Sequence, residues 1–149
     1  MLEETSAAMT DPIQQLLDIE AIKQLKARYF RCMDTKDWSG FSDVFTEDAT
    51  LAAEGRVREG RDNIVGFISK LLQDVGTVHH GHMPEITITG PDSAAGVWAM
   101  FDYLEFPGEP TRGFRGYGHY IEQYVRQEGA WRIRHLELTR IRVDSFEGG

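Results

Sequence analysis

The sequence contains one cysteine, Cys32, and no long run of hydrophobic residues. A single thiol cannot form an intrachain disulfide or a thiolate metal cluster, and its position in a predicted helix indicates a buried, unreactive side chain. No apolar run reaches the length that crosses a bilayer. Residues 1–9 lack the basic and apolar regions of a signal peptide. We therefore expect a cytoplasmic protein with a disordered tail over residues 1–10 and a single domain over residues 11–145.

The sequence also lacks an excess of positive charge and a phosphate-binding loop. It has 16 lysines and arginines against 24 acidic residues, for a net charge of −8. This balance disfavours a nucleic-acid-binding protein, which usually carries a basic face, and disfavours attraction to an anionic membrane. Neither common glycine-rich phosphate motif is present. We expect no nucleic-acid partner, no membrane partner and no cofactor.

The stretch from Asp11 to about Met33 predicts a long first helix. Asp11 followed by proline is a good N-cap, and Gln14 stands where a capping-box partner belongs. Apolar or aromatic side chains then recur at helical spacing, at Ile22, Leu25, Tyr29 and Met33. Basic residues fall mostly on other parts of the helical wheel, at Lys23, Lys26, Arg28 and Arg31. We expect this helix to cover a sheet, with Tyr29 and Asp34 at the lip of the enclosed space.

The remainder of the chain changes from helix to strand near Val78. Before it, the pattern predicts a short helix from Trp38 to near Glu47, a strand over Ala49–Ala53, a turn or hairpin over Gly55–Gly60, and a helix over Arg61–Leu72. After it, the pattern predicts a strand including Ile86–Thr89 and strands over Ala94–Phe106, Gly116–Arg126 and Trp131–Val143. This order predicts an α+β fold, in which N-terminal helices wrap a curved antiparallel sheet into a cone with an internal pocket.

Three histidines, His79, His80 and His82, precede Glu85 within a few positions. Such a cluster could bind a metal ion, satisfy local hydrogen bonds, or supply a general acid or base, since histidine titrates closest to neutral pH. Strand alternation places His80 and His82 on one face and His79 on the other, unless Gly81 or Pro84 introduces a bulge. We favour an acid–base role without a resident metal.

Asp102 and Arg140 are charged residues on otherwise apolar strand faces. Alternation places Met100 and Asp102 on one face of their strand, and Leu138 and Arg140 on one face of theirs. A buried carboxylate is costly unless it is paired, and a neighbouring histidine would satisfy Asp102. Solvated positions for both residues remain alternatives.

Four stretches carry a resemblance to a known family: Asp18–Asp34, His79–Ile88, Trp98–Leu104 and Trp131–Arg140. They resemble the SnoaL-like branch of the nuclear transport factor 2-like superfamily, and within it the bile-acid 7-alpha-dehydratases and scytalone-dehydratase-like proteins. The resemblance spans most of residues 13–143 and implies a cystatin-like α+β barrel. It implies a catalytic set of Tyr29, Asp34, His79, Asp102 and Arg140. We expect further substrate contacts from His80, His82, Met100 and Leu138.

The resemblance implies a cofactor-independent dehydratase that removes water from a hydroxylated steroid-like or polyketide-like ketone. His79, oriented by Asp102, would move the proton, while Asp34 would act as a second base or orient Tyr29 or His79. An isomerase that moves a double bond and a binding protein without chemistry are the alternatives. The resemblance also implies a homo-oligomer, with a trimer favoured and a dimer possible. The segments Leu51–Val75 and Phe106–Gly116 do not share the resemblance, and they would line the mouth of the pocket. The resemblance therefore does not identify the apolar substrate.

Overall fold

The computed structural model describes residues 11–148. The predicted tail, residues 1–10, lies outside the described residues. The described chain forms three helices and six strands. In chain order they are α1 (Pro12–Asp34), α2 (Trp38–Asp43), β1 (Phe45–Ala53), β2 (Arg56–Glu59), α3 (Arg61–Leu72), β3 (Gly76–Gly90), β4 (Ser93–Phe106), β5 (Arg112–Gln127) and β6 (Ala130–Glu147).

Helix α1 begins and ends where its capping residues predict. The side chain of Asp11 accepts a hydrogen bond from the Gln14 backbone N–H at 2.8 Å, and Pro12 occupies the first turn. At the other end, Thr35 caps the helix and Lys36 adopts a left-handed conformation with φ 62°. The apolar stripe of α1 is buried as expected, at Ile22, Leu25, Tyr29 and Met33.

The six strands form one curved, unclosed sheet in the order β2-β1-β6-β5-β4-β3. All neighbouring strands are antiparallel except β1 and β6, which run parallel. The α+β prediction is therefore confirmed, and the parallel pair is an addition to the antiparallel sheet that the sequence predicted. Strands β2 and β3 are the two edge strands, so cavity residues from these two strands come from opposite edges of the sheet.

One face of the sheet packs against the helices and forms the core. Its largest buried aromatic and aliphatic side chains come from all three helices and every long strand except β3, and include Leu25, Phe41, Phe45, Ile64, Trp98, Tyr124, Ile133 and Leu136. Cys32 is a free, buried thiol, in accord with its predicted burial. Within residues 11–148, we find no helix long and apolar enough to span a membrane.

Strand β3 contains a bulge that decides which histidine faces the core. Its pairing with β4 shifts register between His82 and Glu85, and Met83 adopts a left-handed φ of 41°. The extra residue inverts the alternation, so His79 is buried on the same face as Ile86. The sequence analysis allowed for a bulge near Gly81 or Pro84 as the feature that would break simple alternation, and the structure contains one.

Candidate active site

A cavity of about 640 Å³ lies between the concave face of the sheet and the helices. Most of its lining is apolar, and includes Met33, Leu51, Ile68, Leu71, Leu72, Leu104, Phe106, Phe114, Leu136 and Leu138. At one end the wall is polar, with contributions from Tyr29, His79, Asp102, Tyr120 and Arg140. A largely apolar cleft with a few convergent polar groups is the usual form of a small-molecule site.

His79 is held by Asp34 at the end of α1. One carboxylate oxygen of Asp34 lies 2.7 Å from His79 Nδ1, and the other accepts the His79 backbone N–H at 2.8 Å. Thr77 also donates its hydroxyl to Asp34, at 2.9 Å. Because an ionised carboxylate only accepts hydrogen bonds, we assign the imidazole proton to Nδ1. In the neutral imidazole the other ring nitrogen, Nε2, is then the hydrogen-bond acceptor, on a side chain that lines the cavity.

This pairing corrects the expectation that Asp102 orients His79. Asp102 is 2% exposed and instead accepts two hydrogen bonds from the Arg140 guanidinium, at 3.0 and 2.8 Å. The bidentate pair raises the pKa of Arg140, and the largest cause is the hydrogen bonding that Arg140 donates to Asp102. Gly116 makes room for the pair, because a Cβ atom at that position would overlap Arg140 Nη1 and Asp102 Oδ1.

Asp34 supports the cavity without lining it. It is the last residue of α1, so the helix does not end between Tyr29 and Asp34 as a shared lining role would require. Five residues turn an ideal helix by about 140°. Tyr29 therefore lies in the cavity wall while Asp34 reaches the backbone and ring of His79 behind it. Of the three roles left open for Asp34, these contacts support the orientation of His79.

Two phenols, Tyr29 and Tyr120, lie beside each other in the polar wall. Their ring centroids are 5.9 Å apart. Burial, as the largest cause, raises the pKa of both well above the ordinary value of 10.0. Both phenols are consequently protonated hydrogen-bond donors at neutral pH. Tyr120 was not among the site residues predicted from the sequence, although its alternation with Glu122 and Tyr124 on one strand face was a usable signal.

A fully buried ion pair lies directly behind the phenols. Lys26 and Glu122 are paired with no exposed side-chain surface, and Glu122 also accepts a hydrogen bond from Tyr124 at 2.5 Å. Lys26 Nζ stands 3.6 Å from the ring centroid of Tyr29 and 3.8 Å from that of Tyr120. Lys26 was expected away from the apolar stripe. Its spacing of four residues from Ile22 and three from Tyr29 nevertheless places it on the buried side.

Two of the expected substrate contacts face away from the cavity. His80 and His82 are exposed on the outer face of the sheet, because the bulge turns His79 inward instead. Met100 is buried at 4% exposure but does not line the cavity, whereas Leu138 does. Among residues 11–148, no three histidine, cysteine or acidic side chains gather closely enough to hold a metal ion.

Solved structures share this fold over nearly their whole length. A putative scytalone dehydratase from Novosphingobium aromaticivorans is 20% identical with a TM-score of 0.81, covering 89% of each chain. A hexachlorocyclohexane dehydrochlorinase, LinA type 2, is 17% identical with a TM-score of 0.83, covering 93% of this chain and 95% of its own. A cystatin-like protein from Caulobacter vibrioides is 24% identical with a TM-score of 0.68, covering 83% and 89%.

The similar structures establish the fold, and the family follows from the sequence itself. The family model for a SnoaL-like domain matches residues 14–137. That range begins in α1, ends in β6 and contains all the described polar groups of the cavity wall except Arg140. The resemblance to the SnoaL-like branch is confirmed, and the chain belongs to the family of SnoaL-like domains.

Proposed function

We propose that the protein is a cofactor-independent lyase that eliminates water from a hydroxylated ketone in this cavity. The observation that carries the proposal is the Asp34–His79 pair, which leaves His79 Nε2 free at the polar end of an apolar pocket. A general base must lie within hydrogen-bond reach of the proton that it removes. A neutral imidazole in a defined orientation meets this requirement without a metal or an organic cofactor.

The first step is removal of a proton from a carbon activated by the ketone. His79 Nε2 accepts the proton while the electrons of the C–H bond form an enolate. Where the hydroxyl group is further from the ketone, a conjugated double bond extends the enolate to a dienolate. Asp34 stabilises the resulting imidazolium, because it already bonds the Nδ1–H group. The negative charge that develops on the ketone oxygen then requires donors that are already in position.

The polar wall that contains His79 also supplies such donors. Tyr29 and Tyr120 are protonated, and both line the cavity while remaining buried. Arg140 contributes a guanidinium that is fixed in place by Asp102. One such donor typically contributes roughly 3 kcal/mol of transition-state stabilisation. In the second step the enolate electrons form the carbon–carbon double bond, the C–O bond breaks, and His79 returns its proton to the leaving oxygen, so that water departs.

Two further observations favour elimination. The named relatives of this fold include a putative dehydratase and a dehydrochlorinase, and both names describe loss of a small molecule from a substrate. The apolar lining suits a fused-ring compound of the steroid or polyketide type, which offers hydrocarbon surface with a few oxygens.

Isomerisation of a double bond is the second candidate, because it begins with the same deprotonation. His79 would then return the proton to a different carbon, and no water would be lost. The two reactions are distinguished by the mass of the product. A binding protein without chemistry would return its ligand unchanged, and the elaborate Asp34–His79 and Asp102–Arg140 pairing argues against it.

The test is a mass-spectrometric screen of the purified protein against hydroxylated steroid and polyaromatic ketones. We expect a product that has lost one water, and a decrease in its rate of roughly 10²–10⁴-fold in His79→Ala. Tyr29→Phe should lower the rate by roughly 10²-fold, since it removes one donor to the oxyanion. His80→Ala is the matched control, because His80 is an exposed neighbour on the other face of β3.

Full turnover by His79→Ala would overturn the assignment of the base. A product of unchanged mass that still depends on His79 would favour the isomerase. Tight binding of a compound that is recovered unchanged from the wild-type protein would favour the binding protein.

A further inference from the structure

Strand β2 brings two arginines to the cavity wall that the proposed reaction does not use. Arg56 pairs with Ala53 and Arg58 pairs with Leu51 in the antiparallel β1–β2 hairpin. Residues directly opposite in such a pair share one face of the sheet. Since Leu51 and Ala53 line the cavity, both arginines are directed to the same side, and both belong to the cavity wall.

Neither arginine is neutralised by an acidic partner. Within the described part of the chain, Arg56 and Arg58 make no ion pair, whereas surface arginines such as Arg112, Arg134 and Arg142 each do. The other cavity arginine, Arg140, is paired with Asp102. Glu54 also lines the cavity, so the two arginines supply more positive charge than this one carboxylate can balance, in a protein whose net charge is −8.

Arg58 is also held in position by an aromatic side chain. Its guanidinium carbon lies 3.3 Å from the ring centroid of Phe67 on α3, and Phe67 itself lines the cavity. A cation–π contact orients the guanidinium without cancelling its charge. Arg58 is half-buried and Arg56 is exposed, so the pair runs from the cavity wall toward its rim.

We propose that Arg56 and Arg58 form a binding site for an oxyanion, a carboxylate or a phosphate, carried by the substrate. This inference rests on the proposed function, which places the reacting carbon of the substrate at His79. Arg56 and Arg58 come from β2 and His79 from β3, the two edge strands, so the anionic group belongs to a part of the substrate other than the reacting carbon. The substrate class becomes an apolar ketone that carries an anionic group.

The chemistry of the two side chains suits this ligand. Guanidinium groups present several donors in a planar fork that matches the oxygens of a carboxylate or phosphate. An apolar lining between the two polar ends selects the hydrocarbon body by burial. The segment that holds Arg56 and Arg58 does not carry the family resemblance, which fits a role in choosing the substrate rather than in the common reaction.

The test is a fluorescence titration with three probes that share a pyrene ring and a four-carbon tail. They are 1-pyrenebutyrate, which ends in a carboxylate, its phosphate-ending counterpart pyrenebutyl phosphate, and neutral 1-pyrenebutanol. Binding of each is measured for the wild type and for the double variant Arg56→Gln/Arg58→Gln. The control Arg134→Gln/Arg142→Gln removes the same charge from exposed ion pairs outside the cavity.

We expect the wild type and the control to bind at least one anionic probe about tenfold more tightly than pyrenebutanol. Arg56→Gln/Arg58→Gln should lose this preference while it keeps the affinity for pyrenebutanol. Added salt should weaken only the anionic probes. The tighter of the two anionic probes identifies the carboxylate or the phosphate as the natural group.

An absent preference in the wild type, or a preference that survives in Arg56→Gln/Arg58→Gln, would overturn the proposal. Loss of pyrenebutanol binding in that variant would also overturn it, because the arginines would then be structural. Since the titration measures binding and no turnover, it is independent of the water-loss screen. A failure of either proposal therefore leaves the other result intact.

Discussion

Lys26 lies under the phenol rings of Tyr29 and Tyr120 with no exposed surface. Its ammonium is paired with Glu122, and removal of one member of such a buried pair leaves the other charge uncompensated. Burial is the largest cause that lowers the pKa of Lys26 from 10.5 to about 8, while Glu122 opposes the shift. The same residue that supports the polar wall of the cavity is therefore sensitive to pH.

This shift predicts how the stability contributed by Lys26 changes with pH. Between pH 8 and 10.5 the unfolded chain binds a proton at Lys26 that the folded chain has lost, so the free energy of unfolding rises with pH. The variant Lys26→Met lacks this contribution, and we expect it to be roughly 3–5 kcal/mol less stable near pH 7. The difference between wild type and Lys26→Met should then widen from about pH 8 to 10. Urea denaturation across this range provides the measurement.

Subtraction of the two curves is needed because buried tyrosines act in the opposite direction. Tyr29, Tyr120 and Tyr124 have raised pKa values, so above pH 10.0 the unfolded chain loses protons that the folded chain keeps, and stability falls. Lys23→Met, which changes an exposed lysine of the same helix, is the matched control. A constant difference between wild type and Lys26→Met from pH 7 to 10 would contradict the prediction.

At the residue scale, the sequence predicted the members of the polar site better than their pairing. Tyr29, His79, Asp102 and Arg140 all line one cavity, with Asp34 directly behind His79. The partner of Asp102 depends on distant contacts. The β4–β5 and β5–β6 registers bring Asp102 and Arg140 to either side of a glycine, and no local pattern encodes that approach.

At the element scale, the bulge in β3 is the feature that connects backbone conformation to the site. It allows His79 and Ile86 to share the inner face although they are seven positions apart. Met83 provides the extra residue, with φ 41° and 89% of its surface exposed. A left-handed conformation is unfavourable for a residue with a Cβ atom, by roughly 1–2 kcal/mol, and glycine adopts it freely.

We therefore expect Met83→Gly to increase the free energy of unfolding, by about 0.5–1 kcal/mol, because it relieves the backbone without removing a buried contact. Thr87→Gly is the matched control in the same strand. Thr87 is exposed in the paired part of β3, where glycine is less favourable than a β-branched residue, so this variant should be destabilised. Chemical denaturation measures both. Equal destabilisation by the two substitutions would show that the bulge carries no such strain.

The bounds of α1, α3 and β4 followed from local sequence, whereas α2 ends earlier than predicted and β1, β3, β5 and β6 extend further. Helix α3 matches its predicted range, Arg61–Leu72, and α1 agrees within a residue or two at its ends. Helix α2 was predicted to continue to Glu47 but ends at Asp43. Phe45 instead pairs with Ile133 of β6, and the Ile133 N–H bonds the Val44 carbonyl at 2.8 Å. This long-range parallel pairing overrides the helical periodicity.

At the scale of the whole molecule, the outer face of the sheet carries a band of apolar side chains. Register places Val97 opposite Ile121, Phe101 opposite Tyr117, and Val78 opposite Tyr103, all on the side away from the helices. Ile121 and Val78 are each 42% exposed. Contiguous exposed apolar surface of this kind commonly marks a contact between proteins.

We propose that this face joins copies of the chain into a homo-oligomer, with a trimer favoured over a dimer by the family resemblance. Light scattering at micromolar concentration should then give a mass of two or three times the 16.9 kDa of one chain. Ile121→Arg should lower that mass toward a single chain, because it places an unpaired charge in the apolar contact.

The matched control for this prediction is Ile13→Arg, which adds the same charge at an exposed position of α1, away from the sheet. Its oligomeric mass should equal that of the wild type, so that the effect of Ile121→Arg cannot be ascribed to net charge. Circular dichroism confirms that both variants are folded. A single-chain mass for the wild type at every concentration would contradict the prediction. If both variants dissociated equally, the oligomer contact would not lie on this face, since only Ile121 belongs to it.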